Sequence, residues 1–347
     1  MPEPLSIYLK NLGDSLPRYR QEQIWQALFF PGYHSWQEVS SLPKMLRDEL
    51  TREVSWITLR EKYVLSSKRQ DTYKALLETS DRKLVETVLM KNTRGHFSIC
   101  VSSQVGCAMA CTFCATGKMG FTRNLTTHEI VDQYRFWMYF LRERPTLDQQ
   151  ITNVVYMGMG EPLANYDSVK SSLQTLLKYT EMGPTRLTVS TVGLIPMLRK
   201  ILSDTEWPPV KIAVSLHSAD AETRRNIMPS SYQGFLEDLA QWTREYFAQF
   251  ASRRRHLTFE YVMLAGVNDT LSHAEKLIKF ARRVGRVKVN LIPYNDTKSK
   301  YETSESKALI HFEQKLRQAG VDVTRRRTMG ADIAAACGQL IVENKAA

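Results

Sequence analysis

The sequence predicts an α/β fold built on a parallel sheet and preceded by a small helical unit. Three observations carry this. From His96 onward, short runs rich in β-branched residues alternate with longer amphipathic stretches. Ahead of them, residues 17–55 carry a helical pattern and residues 56–90 a strand pattern. The conspicuous polar residues fall where the predicted strands end: Cys107, Gly160-Glu161, Ser190, Ser215 and His217, Asn295 and Cys337. Ligand sites of parallel α/β folds collect at the carboxyl ends of strands. The chain thus divides into a helical accessory domain at 1–55, a β-rich extension at 56–95 and an α/β core at 96–343.

In chain order, Tyr19, Ile24, Trp25, Leu28 and Phe29 line one face of a helix stopped by Pro31-Gly32. A second helix is expected from about Ser41, carrying Leu46 and Leu50. The runs Tyr73–Glu78 and Leu84–Met90 flank a turn at Ser80-Asp81-Arg82-Lys83 and predict a hairpin. Glu86 falls inside its second strand and reads, on sequence alone, as an exposed strand carboxylate. Core strands are expected at 97–101, 151–157, 187–191, 212–216, 257–264, 287–292 and 321–328. Helices are expected between them, the first opened by a Thr126-Thr127-His128-Glu129 capping box.

At 347 residues and 43% hydrophobic content the chain can bury a large core. Its net charge of +11, with the Arg253-Arg254-Arg255 and Arg325-Arg326-Arg327 runs, points to a polyanionic partner, nucleic acid first. A merely soluble basic enzyme is the alternative. No signal peptide is expected from Met1 to Asp14, and no apolar run is long enough to span a bilayer. Five cysteines do not make a secreted disulfide framework. A cytoplasmic monomer that does not engage membranes is expected.

Cys107, Cys111 and Cys114 are spaced C-x-x-x-C-x-x-C. Thiolates so close are soft ligands for iron–sulfur, zinc or copper(I). A closed zinc site needs four ligands, and the nearest histidine, His128, falls in a predicted helix. Three cysteines fit a 4Fe–4S cluster with one iron left free. A redox or coincidental thiol cluster is the competing explanation. Gly158-Met159-Gly160-Glu161-Pro162 follows a strand, so its glycines would admit a ligand close to the backbone and Glu161 could accept from a cationic amine. A plain strand-to-helix turn is equally compatible. Ser215-Leu216-His217 and Asn295 are ordinary strand-end residues taken singly. Cys337, in Ala335-Ala336-Cys337-Gly338-Gln339-Leu340, reads as a packed thiol unless positive charge lies near it. The nearby arginine run could supply that charge.

With Phe113 before its last cysteine, the three-cysteine motif resembles the radical S-adenosylmethionine (SAM) superfamily. Leu84-Val85-Glu86-Thr87-Val88, Cys100-Val101-Ser102-Ser103-Gln104-Val105-Gly106-Cys107, the Gly-Glu-Pro and Ser-Leu-His segments, Gly266-Val267-Asn268-Asp269 and the tail around Cys337 together resemble the RlmN/Cfr family of radical SAM RNA adenine methyltransferases. The resemblance spans about residues 17–342. It implies a partial parallel (β/α)6 barrel, with Cys107, Cys111 and Cys114 on the cluster and Gly160, Glu161, Ser190, Ser215, Leu216, His217 and Asn295 around SAM. It implies further that Cys337 takes a methyl group from one SAM, and that a radical from a second SAM removes a hydrogen from that methyl. The methylene adds to an adenine carbon, and Cys100 releases the RNA by forming a disulfide. Glu86 matches the proton acceptor. The implied partners are rRNA, tRNA or both, and a reductant protein for the cluster. Pro162 matches the C2-methylating branch, where C8-methylating members carry alanine. A C8-methylating or a non-methylating radical SAM enzyme is the alternative. Two positions depart from the family: Pro229-Ser230-Ser231-Tyr232 replaces Pro-Ile-Asn, and Ala334 stands where an aspartate is usual.

Overall fold

The computed structural model describes residues 5–12, 16–250 and 257–340. The Arg253-Arg254-Arg255 run and positions 341–343 lie outside the described residues. The head is made of helices α1 (Leu5–Leu12), α2 (Arg18–Leu28) and α3 (Lys44–Glu53). Leu5, Ile24, Leu28, Trp36 and Leu50 bury against one another in a core separate from the main one. The third helix starts at Lys44 rather than near Ser41, because Pro43 keeps the residue before it out of the helical region.

The extension is an antiparallel meander of β1 (Arg60–Ser66), β2 (Thr72–Glu78) and β3 (Leu84–Lys91). The predicted turn is present: Thr79 N–H donates to Lys83 O at 2.8 Å, and Arg82 takes a left-handed φ of 60°. Strand β3 pairs antiparallel with β4 (Phe97–Cys100), so the extension is continuous with the core sheet.

After β4 the chain forms a small ribbon, β5 (Gln104–Gly106) with β6 (Phe121–Asn124), around the short α4 (Ala115–Lys118). The units that follow are α5 (Thr127–Arg142), β7 (Ile151–Tyr156), α6 (Tyr166–Tyr179), β8 (Leu187–Thr191), α7 (Ile195–Ser203) and β9 (Lys211–Ser215). Next come α8 (Ala221–Ile227), α9 (Phe235–Gln249), β10 (Leu257–Met263), α10 (Leu271–Val284), β11 (Lys288–Pro293), α11 (Ser306–Gln318) and β12 (Asp322–Arg325). Strands β4, β7, β8, β9, β10, β11 and β12 lie side by side, every neighbouring pair parallel. Six strand–helix units therefore end on a further strand, and the sheet order does not return on itself. The capping box forms as predicted: Thr126 Oγ1 accepts from Glu129 N–H, and Glu129 Oε2 from Thr126 N–H. Among the described residues no helix is long and apolar enough to cross a membrane.

Register determines what the sheet presents. Partners across a strand pair point to the same face. Following the pairs outward from β2 puts Lys74, Glu86, Cys100, Val155, Ser190, Ser215, Glu260, Asn290 and Thr324 on one face. The opposite face carries the helices, as where Trp137 of α5 donates to Thr87 Oγ1 at 3.1 Å. A polar inner face on buried strands must satisfy itself. Here Asn290 Nδ2 donates to Glu260 Oε2 at 2.8 Å, and Thr324 Oγ1 to Asn290 Oδ1 at 3.1 Å.

Candidate active site

The loop after β5 brings Cys107, Cys111 and Cys114 to one side of a cavity of about 940 Å³ at the carboxyl end of the sheet. Gly120 O accepts from Cys107 N–H at 2.8 Å, and Cys111 O from Cys114 N–H at 3.1 Å. Thr112 fixes the outer turn through its N–H to Ile227 O at 3.0 Å and its hydroxyl to that of Tyr301 at 2.8 Å. His128 is elsewhere, stacked on Trp25 of the head. Among the described residues no group of three or more His, Cys, Asp or Glu is arranged to hold a single metal ion. Three thiols bordering a shared cavity are a donor set that fits an iron–sulfur cluster with one side turned to the cavity. Burial pushes the Cys107 thiol up to about 11, and the neighbouring Cys114 adds to this. Binding a cation would draw such thiols to thiolates.

Gly160, Glu161, Ser190, Ser215 and His217 line the same cavity. The glycines that line this cavity also have a packing role. A Cβ on Gly158 would meet Val101 O at 2.7 Å, and one on Gly160, at φ +100°, would meet Gln104 N at 2.8 Å. They let the 157–161 turn pack against the segment joining β4 to β5. Ser102 Oγ accepts from Met159 N–H at 2.9 Å and donates to Glu86 O at 2.6 Å, while Gln104 Oε1 accepts from Glu161 N–H at 2.8 Å. Glu161 itself is buried. Its carboxylate accepts from Leu163 N–H at 2.9 Å and Val192 N–H at 2.7 Å. Burial nonetheless raises it to about 7. A cationic ligand group beside it would favour the charged form.

His217 holds a left-handed φ of 53° at the end of β9. Its Nδ1 accepts from Val262 N–H at 3.0 Å, which leaves the proton of the neutral ring on Nε2. Burial and the Arg224 guanidinium lower its pKa to about 3, so it stays neutral. Asn268, from the Gly-Val-Asn-Asp segment, braces it by donating to His217 O and Val262 O, each at 2.7 Å. Leu216 is fully buried and does not line the cavity; its carbonyl accepts from Arg224 Nε at 3.1 Å. Arg224 also donates to Val192 O at 2.8 Å and Ser215 O at 3.2 Å, tying the ends of β8 and β9 together. No motif in the sequence pointed to it.

The tail is pinned over the cysteine loop. Gly338 O accepts from Ala115 N–H at 2.8 Å and Leu340 O from Thr116 Oγ1 at 2.6 Å. Asn295 reaches the site through the tail, donating Nδ2–H to Cys337 O at 3.2 Å. Cys337 is exposed, and its Sγ receives Arg326 Nη1–H at 3.2 Å. Arg326 is drawn further toward its charged form by Cys337, and secondarily by Glu260 and Cys100. The second arginine of the run thus meets the thiol, as the sequence suggested.

Cys337 and Arg326 border both this cavity and a wider one of about 2410 Å³ that opens beside it. Cys100 and Asn295 line the second, with Arg69, Lys91, Arg325 and Arg327. Cys100 and Cys337 are both free thiols. Cys100 is buried at the end of β4, and burial, reinforced by Cys337, raises its pKa to about 12. Glu86 lines neither cavity. Contrary to the exposed carboxylate read from the sequence, it is 1% exposed, because β3 lies inside the sheet and not at its edge. It pairs with Lys74 at 2.8 Å.

The family model described as "Radical SAM superfamily" matches residues 101–281. The chain is 37% identical over 349 residues to the ribosomal RNA large subunit methyltransferase N of Nitrosopumilus maritimus, covering 98% of this chain and 96% of that one. It is 40% identical over 352 residues to the dual-specificity RNA methyltransferase RlmN of Oleidesulfovibrio alaskensis, covering 97% and 93%. The crystal structure of a radical SAM methyltransferase from Sphaerobacter thermophilus superposes with a TM-score of 0.88 at 36% identity, covering 97% of both chains. With a parallel α/β sheet, a three-cysteine loop at its carboxyl end and full-length relatives of one kind, the chain belongs to the radical SAM superfamily and, within it, to the RlmN family of RNA methyltransferases, whose cofactors are a 4Fe–4S cluster and SAM.

Proposed function

We propose that the protein methylates C2 of an adenine in large-subunit rRNA, and in tRNA as a second substrate, by way of a methyl group carried on Cys337. The observation that supports this most is the position of Cys337 on the boundary between two cavities. One holds the cysteine loop, and the other is open and basic. A thiol there can face a cofactor on one side and a nucleic acid on the other.

Cys107, Cys111 and Cys114 would hold the cluster. Glu161, Ser190, Ser215 and His217 would surround SAM, with Gly160 in the pocket wall, Leu216 buried behind it and the Asn295 side chain holding the tail at Cys337 O. Bound there, the cofactors supply a methyl group and a hydrogen-abstracting radical. Arg326 donates to the sulfur that must take the methyl, at 3.2 Å, and so fixes its position between the two cavities. A basic cavity lined by Arg69, Lys91, Arg325 and Arg327 attracts the phosphates that flank a target base. Glu86 would accept a proton, and Cys100 would release the RNA by attacking the Cys337 sulfur, so that an S–S bond forms, the S–CH2 bond breaks and its electron pair on the methylene carbon takes up a proton. A relative named a dual-specificity RNA methyltransferase supports the pair of RNA substrates. Pro162, which lines the cofactor cavity, supports C2. A protein electron donor and action as a cytoplasmic monomer complete the reading.

Nucleoside mass spectrometry of rRNA and tRNA incubated with the reduced protein and SAM tests the target carbon. The expected product is 2-methyladenosine in both digests. A digest containing 8-methyladenosine alone would overturn the C2 assignment.

A further inference from the structure

The extension does more than widen the sheet. Lys74 in β2 is 5% exposed, and its Nζ lies 2.8 Å from Glu86 Oε1. The same Nζ donates to Ala334 O at 3.2 Å, close ahead of Cys337. Two more contacts seat this stretch on the same hairpin. Lys68 N–H donates to Asp332 Oδ2 at 2.8 Å, and a Cβ on Gly330 would come within 2.6 Å of Thr72 Cγ2. Ala334, the position that departs from the family, holds a left-handed φ of 50°. Its carbonyl meets Lys74 there.

Burying a lysine and a glutamate together is seldom a net source of stability, since desolvation offsets most of the attraction. Such a pair is better explained by what it positions. We propose that Lys74 is a positioning residue that links the Glu86 carboxylate to the backbone carrying Cys337, keeping the carboxylate ionised and the methyl-bearing loop seated together. This rests on the reading of Glu86 as the proton acceptor. A base must be anionic before it takes a proton, and a buried carboxyl without a cation would be held neutral. On the same face of the sheet the register places the Cys100 thiol of β4 beside β3, and the Arg326 guanidinium engages Cys337.

The test uses the full-length, cluster-loaded protein and follows two readouts: methyl on Cys337 by mass spectrometry, and the pH profile of methylated-RNA release. Lys74→Gln keeps a donor for the Ala334 carbonyl but removes the charge. Cys337 methylation should persist, while RNA release falls roughly tenfold or more at neutral pH and recovers as pH rises. The direction follows from the charge: without the cation, Glu86 binds its proton more tightly and is anionic only at higher pH. Lys74→Arg should restore the profile. In a Glu86→Gln background the added Lys74→Gln change should cost nothing further, because its effect passes through Glu86. That comparison also stands if Lys74→Gln alone fails to fold, since the double variant buries no unpaired charge. A wild-type profile in Lys74→Gln, or a further loss in the double variant, overturns the proposal. Wild-type release by Glu86→Gln would instead remove the reading of Glu86 on which it rests.

Discussion

Cys111→Ala is expected to give a folded, colourless protein with no SAM cleavage and no detectable RNA methylation. Cys111 is 9% exposed and packs with Phe113, Ile227 and Met228 beneath the cavity. Losing its sulfur should cost about 1 kcal/mol of stability, far too little to unfold a chain with so large a core. The functional loss comes from the donor set: two thiolates cannot hold what three hold with one iron left free. Iron content, visible absorbance and 5′-deoxyadenosine formation are measured together with thermal unfolding. Full SAM cleavage by the colourless variant would contradict the role of the loop.

The second large effect belongs to Cys100. Cys100→Ala should still accept a methyl group on Cys337, but release of methylated RNA should fall by roughly 10³-fold or more, as when one member of a concerted set of groups is removed. A covalent protein–RNA species should accumulate, seen on a denaturing gel as a band that ribonuclease removes. A thiol that merely packs in the core would give a lower melting temperature and no such band. The pH dependence has a defined sign. The folded protein holds the Cys100 thiol up at about 12, so it is protonated at neutral pH and its thiolate fraction rises as pH rises. Release by the wild-type enzyme should therefore quicken with increasing pH. Arg326, which acts on Cys100 in the opposite direction, limits how much alkali is needed.

Much of this was readable in the residues, and the rest was hidden for physical reasons. The alternation of strands and helices, the β2–β3 turn and the capping box are local patterns, and each is present. The ribbon β5–β6 and helix α8 were not expected, because runs of three to seven residues give too little periodicity to register. Of the site, the residues at strand ends could be found because a parallel sheet gathers them by topology. Glu86 was misjudged as exposed: alternation along β3 cannot reveal that a second strand, β2, covers its flank and brings Lys74. The packing role of Gly158 and Gly160 has no local signal, because the contacts that exclude a Cβ come from Ser102 and Gln104, more than fifty residues earlier. Arg224, Glu260 and Asn290 carry no motif. They matter through register and burial, which are properties of the assembled sheet.

On the proposed route, the methyl group that reaches RNA is first carried on Cys337 at the boundary of the two cavities. Protein allowed to methylate itself with SAM bearing a deuterated methyl group, freed of unbound SAM, and then given RNA, reductant and unlabelled SAM tests it in a single turnover. The adenine methyl of the first product is expected to carry deuterium, less the atom removed from the Cys337 methyl, while Cys337 loses its label in step. An unlabelled adenine methyl, with the label still on Cys337, would contradict it.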